Sequence, residues 1–325
     1  NASHQLGFGK NDHQHPTQII LEDVSVIRCG YLHSVVILQD GSVYVWGDNQ
    51  YGQLGIGNGV CAWPRLVSFL EDGSSSVVDV QCGGLYTVCL VDDGSLYAWG
   101  WNGFGQLGIG DFEKRNVPHR VPLDRVKKIQ CGDSHTLALL DDGTLYAWGM
   151  NDYGQLGIGN TENQFYPQKV LLGNVKKIKC GGHHSFALTE DGSLYSWGWN
   201  QYGQLGLGHS EDHRIPQPVD IEAIQQIQTG HSHAVALTKN GTLYSWGWNH
   251  VGQLGVGNYQ EKRFPVTVEI EGSNSIHKIR CGNRDTLCIL EDGTAYGWGS
   301  NEKNILGTKL QAECIPCLSH LHFTQ

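Results

Sequence analysis

One stretch, YVWGDNQYGQLGIGN at residues 44–58, recurs along the chain and limits its fold more than any other feature. It returns as YAWGWNGFGQLGIGD from Tyr97, YAWGMNDYGQLGIGN from Tyr146, YSWGWNQYGQLGLGH from Tyr195 and YSWGWNHVGQLGVGN from Tyr244. A partial copy, YGWGSNEKNILG, starts at Tyr296, and its tail alone, NASHQLGFG, opens the chain. The glycines that precede the copies, Gly41, Gly94, Gly143, Gly192, Gly241 and Gly293, are 53, 49, 49, 49 and 52 residues apart. That period is too long for a leucine-rich or ankyrin unit and suits a four-stranded propeller blade. Short runs of Val, Ile, Leu, Tyr and Trp, separated by Gly, Asn and Asp, are the chemistry of strands and turns.

One repeat yields a strand plan. VKKIQCG (126–132) reads as a first strand and DSHTLALL carries a second. Asp142-Gly143 suits a two-residue type I′ turn, TLYAWG is a third strand, and NDYGQLGIGN is a glycine-rich loop. A fourth strand is expected over residues 167–171, its opening proline (Pro64, Pro118, Pro167, Pro216, Pro265, Pro316 in the six copies) fitting an outer edge. Both faces of such a sheet carry apolar residues, so it must be covered on both sides, as blades around an axis are. The second-to-third turns carry an acid at five of six tips, which is a negative face or simply Asp-Gly turn chemistry.

The 44 glycines fall at repeat positions and follow no collagen-like triplet. No apolar run approaches the roughly 20 residues of a membrane helix. A net charge of −10 argues against nucleic acid or an anionic membrane as the main partner. The basic runs at residues 125–128 and 176–179 read as solvated strand edges. Cys29, Cys82, Cys131, Cys180 and Cys281 share one repeat position with Thr229, and Cys89 and Cys288 another with Val36, Ala138, Ala187 and Ala236. Cysteine that exchanges with Thr, Ala or Val is a small packed residue rather than half of a bridge. A reducing compartment, cytoplasmic or nuclear, is therefore expected.

The pattern Cys-Gly-x-x-His-Ser, then Asp-Gly-x-Leu-Tyr-x-Trp-Gly-x-Asn, then Gly-Gln-Leu-Gly resembles the regulator of chromosome condensation family over essentially the whole chain. The resemblance implies an all-β fold: a seven-bladed β-propeller with four-stranded antiparallel blades. It also brings two functional expectations, guanine-nucleotide exchange on a small GTPase and service as a protein-interaction module within a larger protein. Seven copies of the GQLG region, against six of the His and Trp-Gly strands, lead us to expect one blade left incomplete at the chain ends; a six-bladed ring is the alternative. The chain, residues 1–325, is read as a single propeller domain of about 49-residue repeats cut from a longer protein.

The family's exchange activity uses a wedge inserted between strands. The longest insertions here are four residues around Ser74 and three around Ser273, which tells against exchange. Relatives that sense ultraviolet light place tryptophans beside the histidine corner, where this chain has Tyr31, Gly84, Asp133, Gly182, His231 and Asn283. No nucleophile–base constellation, HExxH or phosphate-binding loop is present, so no intrinsic catalysis, cofactor or metal is expected. A scaffold or regulatory propeller that binds a protein is the leading reading, and a small-GTPase exchange factor the alternative. The domain is expected to be monomeric, without nucleic acid or a membrane span. Residues that differ between repeats at loop positions are the candidate contacts. At the corner these are His33, Tyr86, His135, His184, His233 and Asp285, which serve either a partner or the corner itself. After Trp-Gly they are Trp101, Met150, Trp199 and Trp248, which form either an apolar arc for a partner or packing between blades.

Overall fold

The computed structural model describes residues 1, 3–9, 18–69, 75–270, 275–302 and 312–318, the last by backbone alone. Among these there is no α-helix, and 24 strands form six four-stranded antiparallel sheets. Two compact units divide the chain, Asn1–Ile178 and Lys179–Gln325.

The first unit contains three sheets. They are Val24–Cys29 (β1), His33–Leu38 (β2), Val43–Gly47 (β3), Cys61–Val67 (β4); Val77–Cys82 (β5), Tyr86–Val91 (β6), Leu96–Gly100 (β7), Arg115–Val121 (β8); and Val126–Cys131 (β9), His135–Leu140 (β10), Leu145–Gly149 (β11), Gln164–Val170 (β12). The next strands in chain order are Val175–Cys180 (β13), His184–Thr189 (β14), Leu194–Gly198 (β15) and His213–Pro218 (β16). The second unit continues with Ile224–Thr229 (β17), His233–Thr238 (β18), Leu243–Gly247 (β19), Lys262–Thr267 (β20). Its last sheet is Ile276–Cys281 (β21), Asp285–Leu290 (β22), Ala295–Ser300 (β23), Ala312–Leu318 (β24).

Side chains of a strand alternate between its two faces, and in this chain the two faces enter different cores. Val88, Leu90, Leu96 and Ala98 join Val126, Ile129, Ala138 and Trp148 of the following sheet. Cys89 and Trp99, of opposite parity, join Val35, Ile37, Val43 and Val45 of the preceding one. The second unit repeats the device: Ala234, Ala236 and Trp246 pack with Phe186 and Leu188, whereas Val235 and Leu237 pack with Ile279, Cys288 and Trp298. A sheet with two buried faces has no free-standing form in water, which is the physical reason for the repeat.

The expected seven blades are corrected to six. Among the described residues the N-terminal copy supplies a glycine loop: the Gln5 carbonyl accepts from Trp46 Nε1 and from Ser34 Oγ, each at 2.8 Å, and residues 3–9 contain no strand. At the other end β24 pairs with β23 as the outer strand of the sixth sheet, so the C-terminal copy completes that sheet rather than beginning another. The insertions around Ser74 and Ser273 lie outside the described residues.

Two local expectations also change. At the second-to-third turn Gly143 N–H donates to Leu140 O and Leu140 N–H to Thr144 O, and of the turn residues only Gly143 has a positive φ (+82°). This is a three-residue loop closed by a left-handed glycine bulge, not a type I′ turn. The acid caps it, since Asp142 Oδ1 accepts the Thr144 N–H at 2.9 Å, and Asp40, Asp93, Asp191 and Asp292 do the same in their own turns. The fourth strand begins before its proline, at Gln164, and the pairing register slips around Pro167 on the sheet's outer edge. The eight described cysteines are free: Cys89 and Cys288 are buried, Cys29 is exposed, and the others lie between.

The glycine loop is held by two buried amides. Asn49 Oδ1 accepts the Leu54 N–H while its Nδ2 donates to the carbonyls of Gly57 and Gly59, and Gln53 Oε1 takes the Tyr51 N–H. Asn102, Asn200 and Asn249 repeat the pattern. Loop backbone that no strand partner could reach is thereby satisfied. The last glycine of GQLG then lies against the tryptophan of the next sheet: a Cβ on Gly55 (φ +70°) would sit 2.8 Å from Trp99 Nε1, whereas one on Gly57 (φ +82°) would meet nothing within 4 Å. Gly57→Ala should thus cost only the left-handed penalty, about 1–2 kcal/mol. Gly55→Ala should cost about 1–3 kcal/mol more for the overpacking. Urea denaturation of the two variants reads the difference, and equal losses would refute the glycine–tryptophan contact.

Candidate functional site

The corner between first and second strands is a tight reversal in which Gly30 N–H donates to His33 O at 2.9 Å, repeated at Tyr86, His135, His184, His233 and Asp285. The ring folds back over the glycine, where a Cβ on Gly30 would lie 2.1 Å from His33 Cε1. Only glycine fits.

His33, Tyr86, His135, His184 and His233 are at most 1% exposed, and Asp285 is half-buried. The polar atoms of His33, Tyr86 and His233 reach the following sheet. His33 Nε2 lies 3.0 Å from Thr87 Oγ1, whose own proton goes to Gln53 O at 2.9 Å, and Trp99 Nε1 donates to that same carbonyl at 2.9 Å. Since the threonine proton is committed, His33 Nε2 carries the hydrogen and Nδ1 is a bare lone pair, which has no hydrogen-bond partner. His233, Thr286 and Gln253 O form the same relay in the second unit. Tyr86 replaces the imidazole with a hydroxyl that donates to His135 O at 2.6 Å and lies 3.0 Å from Thr136 Oγ1. Burial drives the imidazoles toward neutrality, lowering His33 to about 4 and His233 to about 3. This corner latches one sheet to the next.

The set that follows Trp-Gly stands differently. Trp101, Met150, Trp199 and Trp248 are half-buried, at the loop end of the third strands, each held by its N–H on a carbonyl of the corner loop, as Trp199 is on His183 O at 3.0 Å. In the second unit the rings run together. His183 lies 6.1 Å from Trp199, Trp199 lies 5.3 Å from Tyr202, Tyr202 lies 6.1 Å from both Trp248 and His250, and Trp248 lies 5.6 Å from His250, centroid to centroid. The Arg284 guanidinium caps Trp248 at 5.4 Å, within cation–π range. His183 and His231 meet edge to face at 5.8 Å. In the first unit Trp101 stands between Tyr51 and Phe104 at 6.3 and 5.1 Å.

So the two candidate sets separate: the corner side chains are inside, and the Trp set forms strips at the loop ends, together with Tyr51, Phe104, Tyr202, His250 and Arg284, which the sequence reading left out. The signal that could have found the first three is the aromatic residue just before GQLG, present as Tyr51, Phe104, Tyr153 and Tyr202; no such signal marks His250 or Arg284. Each strip mixes both expected roles, since its rings pack on the neighbouring repeat and still keep a solvent-facing side.

Comparison with known proteins places this geometry. The family model for the RCC1-like domain matches residues 1–322. The ultraviolet-B receptor UVR8 of Arabidopsis thaliana is 38% identical over 120 residues, 35% of this chain and 27% of the receptor. The human probable E3 ubiquitin-protein ligase HERC4 is 36% identical over 112 residues, 33% of this chain and 10% of the ligase. The matched segments are thus a small part of either relative. Among solved structures, human WBSCR16 superposes with a TM-score of 0.87 at 23% identity, over 98% of this chain and 93% of that one. Prp20p of Saccharomyces cerevisiae, described for its binding to Gsp1p and histones, gives 0.80 at 24% identity, over 92% of this chain and 77% of that one. At these identities the structural likeness shows the fold alone.

Proposed function

The chain belongs to the RCC1-like domain family, and we propose on that footing that it is a protein-interaction propeller, a scaffold or regulatory module that holds a protein partner against the aromatic strip of its second unit. The observation that carries this reading is the run of Trp199, Tyr202, Trp248 and His250 at the loop end of its sheets. Large rigid rings supply contact area at little entropic cost and recur as interface anchors. The corner residues are assigned to the latch and removed from the contact set. Affinity capture by the wild type and by Trp199→Ala plus Trp248→Ala, with folding of the variant verified, tests the reading. The partner bound by the wild type should be lost from the double variant, and full retention would refute the strip as the docking surface.

A second reading is nucleotide exchange on a small GTPase, the other expectation that membership of the family brings. Nucleotide release from a panel of small GTPases separates the two. Under the leading reading the chain leaves every release rate unchanged, and acceleration of any of them by this chain alone reverses the order.

A further inference from the structure

The six first strands carry a charge pattern opposite to that of the chain. They hold eight of its 22 Lys and Arg residues but one of its 32 acidic residues, Asp79, so positive charge is concentrated on these sheet edges of an acidic protein. In the second unit the pattern has its fewest acids: β17 and β21 carry none, and neither does the β13 end at Lys179 and Cys180.

Three edges are contiguous there. Thr229 Oγ1 donates to Cys180 O at 2.6 Å, tying β17 to the end of β13, and Gln226 Nε2 donates to His277 O at 2.8 Å, tying β17 to β21. Lys278 and Arg280 are two residues apart on one strand, as are Gln226 and Gln228, so each pair shares a face, while Ile227 and Ile279 between them are buried. Lys179 holds the position of Gln228 and Arg280 in its own repeat. Burial pushes the Cys281 thiol up to about 12 and the Asp285 charge adds to the rise, while a hydrogen bond with Thr286 and the charges of Lys179 and Arg280 pull it down.

We propose that this strip of the second unit, Lys179, Gln226, Gln228, Lys278 and Arg280, binds a small, multiply charged phosphate anion. The ammonium groups act as compact charges, the guanidinium takes two phosphate oxygens at once, and the neutral amides add donors without adding charge. Elsewhere the acidic surface repels such a ligand, which directs it to these edges. A nucleic acid would require a longer run of phosphate contacts than three cations supply.

Calorimetric titration of the full chain with sodium tripolyphosphate tests this. Saturable one-site binding is expected, weakened about tenfold or more by Lys179→Gln plus Arg280→Gln, because two charge-assisted contacts are lost. Lys179→Arg, which keeps the charge, should stay within about twofold of the wild type. So should Lys169→Gln plus Lys239→Gln, which removes the same charge at exposed positions off the strip. Thermal unfolding verifies that each variant is folded. Absence of saturable binding, equal weakening by the control pair, or tighter binding of a single-stranded oligonucleotide with the same number of phosphates would overturn the proposal.

Discussion

Lowering the pH from 7 to 5 should remove about 4 kcal/mol of folding free energy through His33 and His233 together. Each imidazole is buried with Nε2 committed to a threonine and Nδ1 unpartnered, so a second proton would create a buried cation with a donor and nothing to receive it. Their folded values, about 4 and about 3, lie below the 6.5 of an unperturbed histidine. The unfolded chain therefore binds more protons, and the stabilisation is complete above 6.5 and lost as pH falls toward those folded values. At pH 5 each relay gives up about 2 kcal/mol. The turn aspartates do not confuse the reading. Hydrogen bonds from the Ser42 and Thr144 backbone hold Asp40 and Asp142 below 3.8, so their contribution fades only in more acid solution. Urea midpoints across pH 4–8 measure the slope. Tyr86 already occupies the same corner, so His33→Tyr plus His233→Tyr should fold and flatten it, and a double variant as acid-sensitive as the wild type would show that other groups set the slope.

Replacing Trp99 with alanine should cost about 3–5 kcal/mol, whereas Trp101→Ala, two residues along the same segment, should cost about 1–2 kcal/mol. Trp99 is fully buried in the core that joins the first and second sheets, and its indole N–H fills one of the two lone pairs of Gln53 O. Its loss opens a large cavity beneath Gly55 and leaves that carbonyl with the Thr87 hydroxyl alone. Trp101 is half-exposed against Tyr51 and Phe104, so its truncation mainly uncovers loop surface. Equilibrium urea unfolding resolves a gap of this size. Equal losses would mean that the recurring and the variable tryptophan do the same work, against the division on which the proposed docking surface rests.

The sheets and their core were legible in the repeat because the relevant signals are local. Short runs of Val, Ile, Leu, Tyr and Trp, Asp-Gly turns and the recurrent Trp46, Trp99, Trp148, Trp197, Trp246 and Trp298 mark strands, reversals and packing positions within one repeat length. Two local readings still missed. The Asp142-Gly143 dipeptide suits either hairpin loop, and the choice depended on how many residues the flanking strands keep paired. Pro167 proved to sit inside an edge strand because such an edge needs no N–H there.

Taken alone, the amino-acid order determined that this protein is built from antiparallel four-stranded sheets joined by glycine-rich loops, since strand and turn chemistry act over a few residues. The tertiary structure alone decided that the described strands make six sheets and that residues 3–9 form a loop against Trp46. It also decided that the corner imidazoles face inward and that Tyr202 joins Trp199 to Trp248. Those outcomes depend on groups about 50 residues apart meeting across neighbouring sheets, as His33 meets Thr87. A repeat read by itself carries no record of what its neighbour places at the contact.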